Sequence, residues 1–301
     1  MAKKLRKLPL LTKARPGVNQ RFGGFDVVLL IILVIYALSI IFPFYYVFIV
    51  SITPESIYAN NPMVLFPNQI TFTAYESVFQ DQSIWKGFGI TLILLFGGTL
   101  YQLFFTVITG YALSRSNWFG KNFVMNLILV TMFFGGGLIP YYILMKQLHF
   151  LDTIWVMIIP GAIDTFNMLL MRNYFASLPK ELEESAKIDG ANDIQIFVKI
   201  FLPLSLPMLA TVGLFFAVGN WNSWYNGMMF NQNPNIRTLQ QVLQDMIVTK
   251  SSNIPNLHPG ETNEESVKMA AIFFTILPMM CFYPFLQRYF VKGIVVGAIK
   301  G

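Results

Sequence analysis

Long apolar runs broken by short polar stretches dominate the sequence. Six runs, roughly 26–50, 88–113, 123–145, 151–171, 204–227 and 268–290, each hold about 20–25 residues, enough to cross a bilayer as a helix. Within hydrocarbon a helix satisfies every backbone N–H and C=O internally, so the pattern predicts an all-α integral membrane protein with six transmembrane helices. The first run follows a basic stretch, as a signal peptide would. Its apolar part is too long for such a segment, and no convincing small-residue cleavage site follows in 51–61, so it reads as a retained helix. Gly135, Gly136, Gly137 and Pro140 predict a bend or local unwinding in the third run.

Composition agrees with a lipid-facing surface. Of 301 residues, 55% are AVILMFWYC and 12% are charged, half the ~25% of a soluble domain. This excludes a soluble globular enzyme, a disordered chain and a secreted disulfide scaffold. Cys281 is the lone cysteine, so no internal disulfide can form, and His149 and His258 lack metal-ligand spacing.

The net charge of +6 resides in the first 25 residues, where Lys3, Lys4, Arg6, Lys7, Lys13, Arg15 and Arg21 meet no acid. Such a tail suits anionic lipid headgroups rather than nucleic acid. With the N-terminus inside, sixteen Lys and Arg fall on the cytoplasmic side and five outside, so both termini are expected in the cytoplasm. The expected organisation is a basic tail over 1–25, a transmembrane domain over 26–292 and a cytoplasmic tail over 293–301.

The inner piece 172–203 differs from the Asn-, Pro- and Ser-rich outer loops. Pro179 suits the first turn of a helix, and Glu181, Glu183 and Glu184 favour its positive end. Leu178, Leu182, Ser185, Ala186 and Asp189 recur at helical spacing, and Glu183 with Lys187 forms an i,i+4 pair. Gly190 can end this helix at positive φ and Asn192 can cap the next. The residues thus predict two short helices meeting at a glycine, by pattern alone either a solvated hairpin or a docking knob.

Glu184-Ser185-Ala186, then Gly190, then Ile200, Leu202 and Pro203 resemble the EAA signature of membrane subunits of bacterial ABC importers. Ser185 stands where alanine is usual, a small-for-small departure. Leu182-Glu183-Glu184, Ile188-Asp189-Gly190-Ala191 and the ending Val296-Gly297-Ala298-Ile299-Lys300-Gly301 are similar to maltose-type carbohydrate importers, in the branch for complex or oligomeric sugars. The resemblance covers roughly the C-terminal half.

It implies a type I importer permease fold with a cytoplasmic coupling loop over 178–203. It also implies a second homologous permease, two ATP-binding subunits carrying ATP and magnesium, and an extracytoplasmic solute-binding protein. Glu183, Glu184, Ser185, Ala186, Asp189, Gly190 and Ala191 would then engage the ATPase, with Gly297, Lys300 and Gly301 reaching toward the ATPase dimer interface. The chain itself lacks the G-x-x-x-x-G-K-[ST] phosphate cradle: neither Gly120-Lys121 nor Gly135–Gly137 completes it. No cofactor and no catalytic or metal site is expected in this chain.

Polar groups inside spans mark a path for solute. Phe215, Gly219, Asn222 and Asn226 share a face of the fifth run, among Asn220, Trp221, Ser223, Trp224 and Tyr225. Amides pair with sugar hydroxyls and aromatic faces cover the apolar face of a pyranose, so an uncharged patch of both suits a neutral sugar. The same residues could instead form an interfacial aromatic belt with amides packing helix on helix. Asp164 and Asn167 in the fourth run are further candidates, Asp164 equally a cap after Pro160-Gly161. Three alternatives carry less support: a non-sugar solute; an ion-coupled transporter, which would favour more intramembrane charge than Asp164 and internal repeats; and an intramembrane enzyme, for which no constellation exists.

Overall fold

A computed structural model of the chain describes residues 24–115, 119–248 and 264–298, with backbone alone between 282 and 298. Among the described residues every regular element is helical. The principal helices are α1 (Gly24–Ser51), α2 (Thr73–Gln80), α3 (Gln82–Arg115), α4 (Lys121–Phe133), α5 (Leu138–Gln147) and α6 (Thr165–Ser177). They continue with α7 (Glu181–Ile188), α8 (Asp193–Leu204), α9 (Leu206–Trp221), α10 (Leu239–Val248) and α11 (Glu264–Ala298). The chain divides into two compact units, Met1–Tyr46 and Val47–Gly301. Of the first, the described part is the N-terminal portion of α1, whose apolar side chains, Val27 to Ile41, are exposed. The basic tail over 1–23 lies outside the described residues.

In the second unit α3 is the spine. It is interrupted by a π-helical turn at Leu94–Gly98. Toward its end, Gly110 lets α6 approach to backbone contact: an added Cβ would stand 3.1 Å from Met171 Cβ and 3.2 Å from Arg172 N. Gly213 of α9 makes room for the Leu103 side chain of α3, whose Cδ1 would stand 3.1 Å from an added Cβ. Near its start α3 receives α10, whose Leu239 N–H donates to the buried Thr91 Oγ1 at 2.9 Å. From Thr91 to Arg115 the helix rises about 36 Å, slightly more than a hydrocarbon core. Three apolar clusters follow this spine. One, around Ile84, Trp221, Leu239 and Ala271, joins α10 and α11. Another gathers Leu94, Met145, Met157 and Phe230. The third, around Phe175, Ala186, Ile196 and Phe201, lies at the Arg115 end.

The helices α1 and α3 are long and apolar enough to cross a bilayer, and α4 with α5 and α8 with α9 qualify as bent pairs. The third apolar run bends as expected, by 115°, between Phe133 and Leu138, with Gly137 at φ 84°. The fourth run departs from expectation: 151–171 is not one continuous helix. It holds only a turn at Trp155–Ile158 before α6 starts at Thr165 and runs on to Ser177. Pro160 has no N–H to continue the ladder, and the Asp164 carboxylate accepts from Asn167 N–H at 2.8 Å, starting a new helix there. Asp152, at φ 56°, further commits this segment to loop structure, its carboxylate taking the backbone N–H groups of Gln232 and Asn233. The fifth run also differs. It bends by 78° at Ser205, between Pro203 and Pro207, and ends at Trp221. Finally, the expected tail over 293–301 begins as helix: Gly297 belongs to α11, while Lys300 and Gly301 lie outside the described residues.

The close approach at Gly110 is directly testable. Gly110→Ala forces backbone of α6 to move and should destabilise by about 1–3 kcal/mol, the usual cost of overpacking. Gly97→Ala, whose added Cβ meets nothing within 4 Å, should leave stability unchanged or slightly raised. Thermal unfolding of the two variants in detergent checks the difference.

Candidate functional site

Two features stand at different levels of α3. The first is a cavity of about 390 Å³. It joins Gln102 of α3 to Asp164 and Asn167 of α6 and to Phe215, Gly219 and Asn220 of α9, with Ser223 and Asn226 beyond. The sequence candidates Asp164, Asn167, Phe215, Gly219, Asn220 and Asn226 are therefore brought together from segments fifty residues apart. Asn220 is fixed by donating to Thr99 Oγ1 at 3.0 Å and to Gln102 Oε1 at 2.9 Å. Two glycines make room for this hub. A Cβ on Gly98, beside the π-turn, would stand 3.1 Å from Asn220 Nδ2, and one on Gly161 would stand 2.9 Å from Gln102 Nε2. Gly219, by contrast, faces open space. Asn167 lines the cavity with its Oδ1 unpartnered among the described residues. The lining is amides, hydroxyl, one carboxylate and aromatic edge, a surface able to exchange hydrogen bonds with a polyhydroxylated solute.

The remaining aromatic candidates lie elsewhere. Trp221 is buried in the apolar cluster, edge-on to Phe88 at 6.2 Å. Asn222 is exposed and donates to Val218 O of its own helix at 2.9 Å. Both, with Trp224, line a separate cavity against α11. Tyr225 is exposed, its ring perpendicular to that of Trp224.

The second feature is the hairpin of α7 and α8. Lys180 starts α7, with Pro179 just outside rather than in its first turn. At its end Ala191 N–H donates to Ala186 O and Gly190 N–H to Lys187 O, with Gly190 at φ 81°, so the turn closes as a Schellman motif. Asn192 then caps α8 in a reciprocal pair with Gln195, at 2.8 and 3.0 Å. Lys187 binds Glu183 at 2.8 Å and reaches Asp193 at 3.6 Å, bridging the two helices. These contacts, led by the Glu183 hydrogen bond, hold the Lys187 pKa above its ordinary value. Ala186 faces inward onto the cluster of Phe175, Ile196 and Phe201, and Ala191 packs beside it. Outward stand Glu184, Ser185, Asp189 and Gly190, flanked by Ile188 at 86% exposure and Ile194 at 74%. These two isoleucines are the most exposed apolar side chains of the hairpin.

Arg115 connects the two features. Its Nη2 donates to Phe175 O at 2.5 Å and Leu178 O at 2.9 Å, and its guanidinium lies 4.3 Å from the centre of the Phe201 ring. It thereby binds the end of α3 to the last carbonyls of α6, to the residue leading into α7, and to α8. Tyr174 O–H adds a bond to Leu204 O, at the α8–α9 bend. Sequence reading used Arg115 only as a charge on the inner side and passed over Gln102. Gln102 satisfied the criterion applied to the asparagines, a polar group within an apolar run; nothing in the sequence revealed the partners of Arg115.

Among the described residues the chain is helical throughout, with a polar cavity along a bilayer-length helix and a capped hairpin at one end of it, an architecture suited to a membrane permease. Residues 24–296 match the family of binding-protein-dependent transport system inner membrane components, and the chain belongs to it. It is 39% identical to Protein LplC of Bacillus subtilis (strain 168), covering 87% of this chain and 90% of that one. It is 34% identical to the polygalacturonan/rhamnogalacturonan transport system permease protein YtcP of the same organism, over 92% of this chain and 98% of the relative. The arabinooligosaccharides transport system permease protein AraQ of Halalkalibacterium halodurans is 27% identical, over 87% and 91% respectively. Among solved structures, a chain from a bacterial ABC transporter involved in the import of the acidic polysaccharide alginate superposes with a TM-score of 0.83 at 32% identity, covering 91% of this chain and 99% of that one.

The geometry separates two neighbouring asparagines. Asn220→Leu breaks two partly buried hydrogen bonds and strands Gln102 and Thr99, so it should cost about 1–3 kcal/mol. Asn222→Ala removes only a bond to its own helix and should stay within about 0.5 kcal/mol of the parent. Denaturation midpoints in the same detergent check the contrast.

Proposed function

We propose that this chain is a permease subunit of an ATP-driven importer that carries a carbohydrate, most simply an oligosaccharide, across the cytoplasmic membrane. In this reading six helical spans place both termini and the α7–α8 hairpin inside, and 26–292 forms one permease domain between cytoplasmic tails. A second, homologous permease completes the path as a heterodimer. Two separate subunits bind ATP and magnesium, and an extracytoplasmic protein delivers the solute.

The observation that carries the reading is the hairpin: Ala186 anchored inward, Ile188 and Ile194 bare outward, and the base held to α3 and α6 by Arg115. A partner gripping that surface can move α3, and with it Gln102 and Thr99, through one connected set of contacts. Glu184 supplies the charge for a basic group of the ATPase, and Ser185 and Gly190 allow close approach. A carbohydrate cargo is supported by the amide-rich cavity and by relatives named for arabinooligosaccharides and polygalacturonan.

The assembled importer in proteoliposomes tests this. Glu184→Lys and Gly190→Leu should bring oligosaccharide uptake down to the level seen without ATP while the permease still inserts and the ATPase still hydrolyses. Arg115→Ala should do the same, with Arg115→Lys intermediate because an ammonium keeps the charge without the planar fork. Normal uptake in all of these would remove the hairpin from the mechanism.

A further inference from the structure

The two cavities beside Trp224 are not used by this account. They lie at the α10 end of α3, opposite the hairpin. One, of about 270 Å³, is lined by Trp224, Asn231, Gln232, Gln244, Arg237 and Asp245 among others. The other, of about 470 Å³, is lined by Trp224 and Gln244 again, with Asn222, Gln240 and Thr275. Consecutive residues of one segment thus face different spaces: Asn220 and Ser223 line the membrane cavity, while Asn222 and Trp224 line these outer ones.

From this arrangement we infer a second saccharide-binding subsite, centred on Trp224 and outside the membrane cavity. It rests on the carbohydrate reading above and deepens it. Three features of the chemistry converge. Trp224 is 39% exposed, so part of its indole is open to cover the C–H face of a sugar ring. Gln232 and Gln244 share the smaller cavity with it, and Gln240 and Gln244 the larger; each glutamine carboxamide carries a donor and an acceptor side by side, the pair that a vicinal diol answers. Asn231 is 4% exposed, and neither its Nδ2 nor its Oδ1 has a partner among the described residues. A buried amide left unpaired costs about 1–3 kcal/mol. A small rotation of its side chain toward a hydroxyl in the cavity relieves that cost.

Charge narrows the ligand. Arg237 and Asp245 meet at 2.8 Å and neutralise one another, so among the described residues the subsite presents no uncompensated cation for a phosphate or a nucleotide. The smaller cavity, polar apart from Trp224 and Met228, suits a hydroxyl-rich ring better than an apolar peptide, whereas the larger is closed mainly by apolar side chains such as Leu243, Ile247, Ile272 and Ile276. The fitting ligand is an uncharged, hydroxyl-rich ring, one unit of an oligosaccharide. Such a subsite holds the trailing part of a released chain while its leading unit enters beside Asn220.

The test uses the complete importer in lipid nanodiscs without its binding protein, titrated calorimetrically with arabinotriose as the neutral probe and trigalacturonate as the anionic one. Arabinotriose should bind saturably and more tightly than trigalacturonate. Trp224→Ala and Gln244→Ala should each weaken it about tenfold, a loss of about 1.4 kcal/mol. Trp224→Phe should retain most of it, and Gly97→Ala, whose added Cβ meets nothing within 4 Å, should leave it unchanged; thermal midpoints show that each variant is folded. The subsite is overturned if wild-type protein binds neither probe, if Trp224→Ala binds as well as wild type, or if Asn226→Ala alone abolishes binding. In a separate capture assay with the binding protein added, it is also overturned if Trp224→Ala loses that capture while saccharide binding is kept, which would make this face a docking surface. Uptake assays with the same probes keep the two readings apart. Uptake without Trp224-dependent binding removes the subsite alone, whereas uptake of neither probe counts against a carbohydrate cargo.

Discussion

The guanidinium of Arg115 is the contact on which the rest depends. A helix of α3's length and apolarity is stable in lipid by itself, so nothing in its own ladder obliges it to follow a hairpin beneath it. Arg115 supplies that obligation. Its Nη2 meets two carbonyls, Phe175 O near the end of α6 and Leu178 O just beyond it, and its face lies on Phe201. Charge-assisted bonds of this kind are worth about 1.5–3 kcal/mol each. The packing of Tyr111 between Phe175, Phe197 and Phe201 adds a stiff aromatic layer immediately above.

Upward from that layer, α3 carries the polar hub. An amide in an apolar bundle is tolerable when its neighbours answer it, and Asn220, Thr99 and Gln102 answer one another. The π-turn at Leu94–Gly98 lies one residue short of Thr99, and Gly98 is small enough to admit Asn220. Single π-helical turns of this kind recur at functional sites, and this one abuts Asn220, which lines the cavity.

Much of this was legible from residue order, because capping and periodicity are local. The Gly190 turn, the Asn192 cap and the Glu183–Lys187 pair formed as their side chains dictate. So did the break near Gly137. The fourth run was misread because apolarity over twenty residues says nothing about continuity: Pro160 and the Asp164 cap override it, and Asp152 draws the segment into a loop with Gln232 and Asn233. In the fifth run, helical spacing put Asn222 with Asn226. The helix stops at Trp221, which rotates Asn222 away and leaves Asn220, together with the overlooked Gln102, as the residues that meet in the cavity. Long-range partners of this sort, like those of Arg115, are invisible to a reading of one segment at a time.

The central claim is that force made by another subunit enters through the hairpin, which therefore has to stand on the cytoplasmic side. With the lone Cys281 replaced by serine, Ile188→Cys places one thiol on the hairpin's most exposed apolar residue. A membrane-impermeant maleimide should label it in inside-out vesicles but not in intact cells, and assembly with the ATP-binding subunits should block the reaction. Labelling from outside intact cells would put the hairpin where no ATPase can reach it, and would contradict the account.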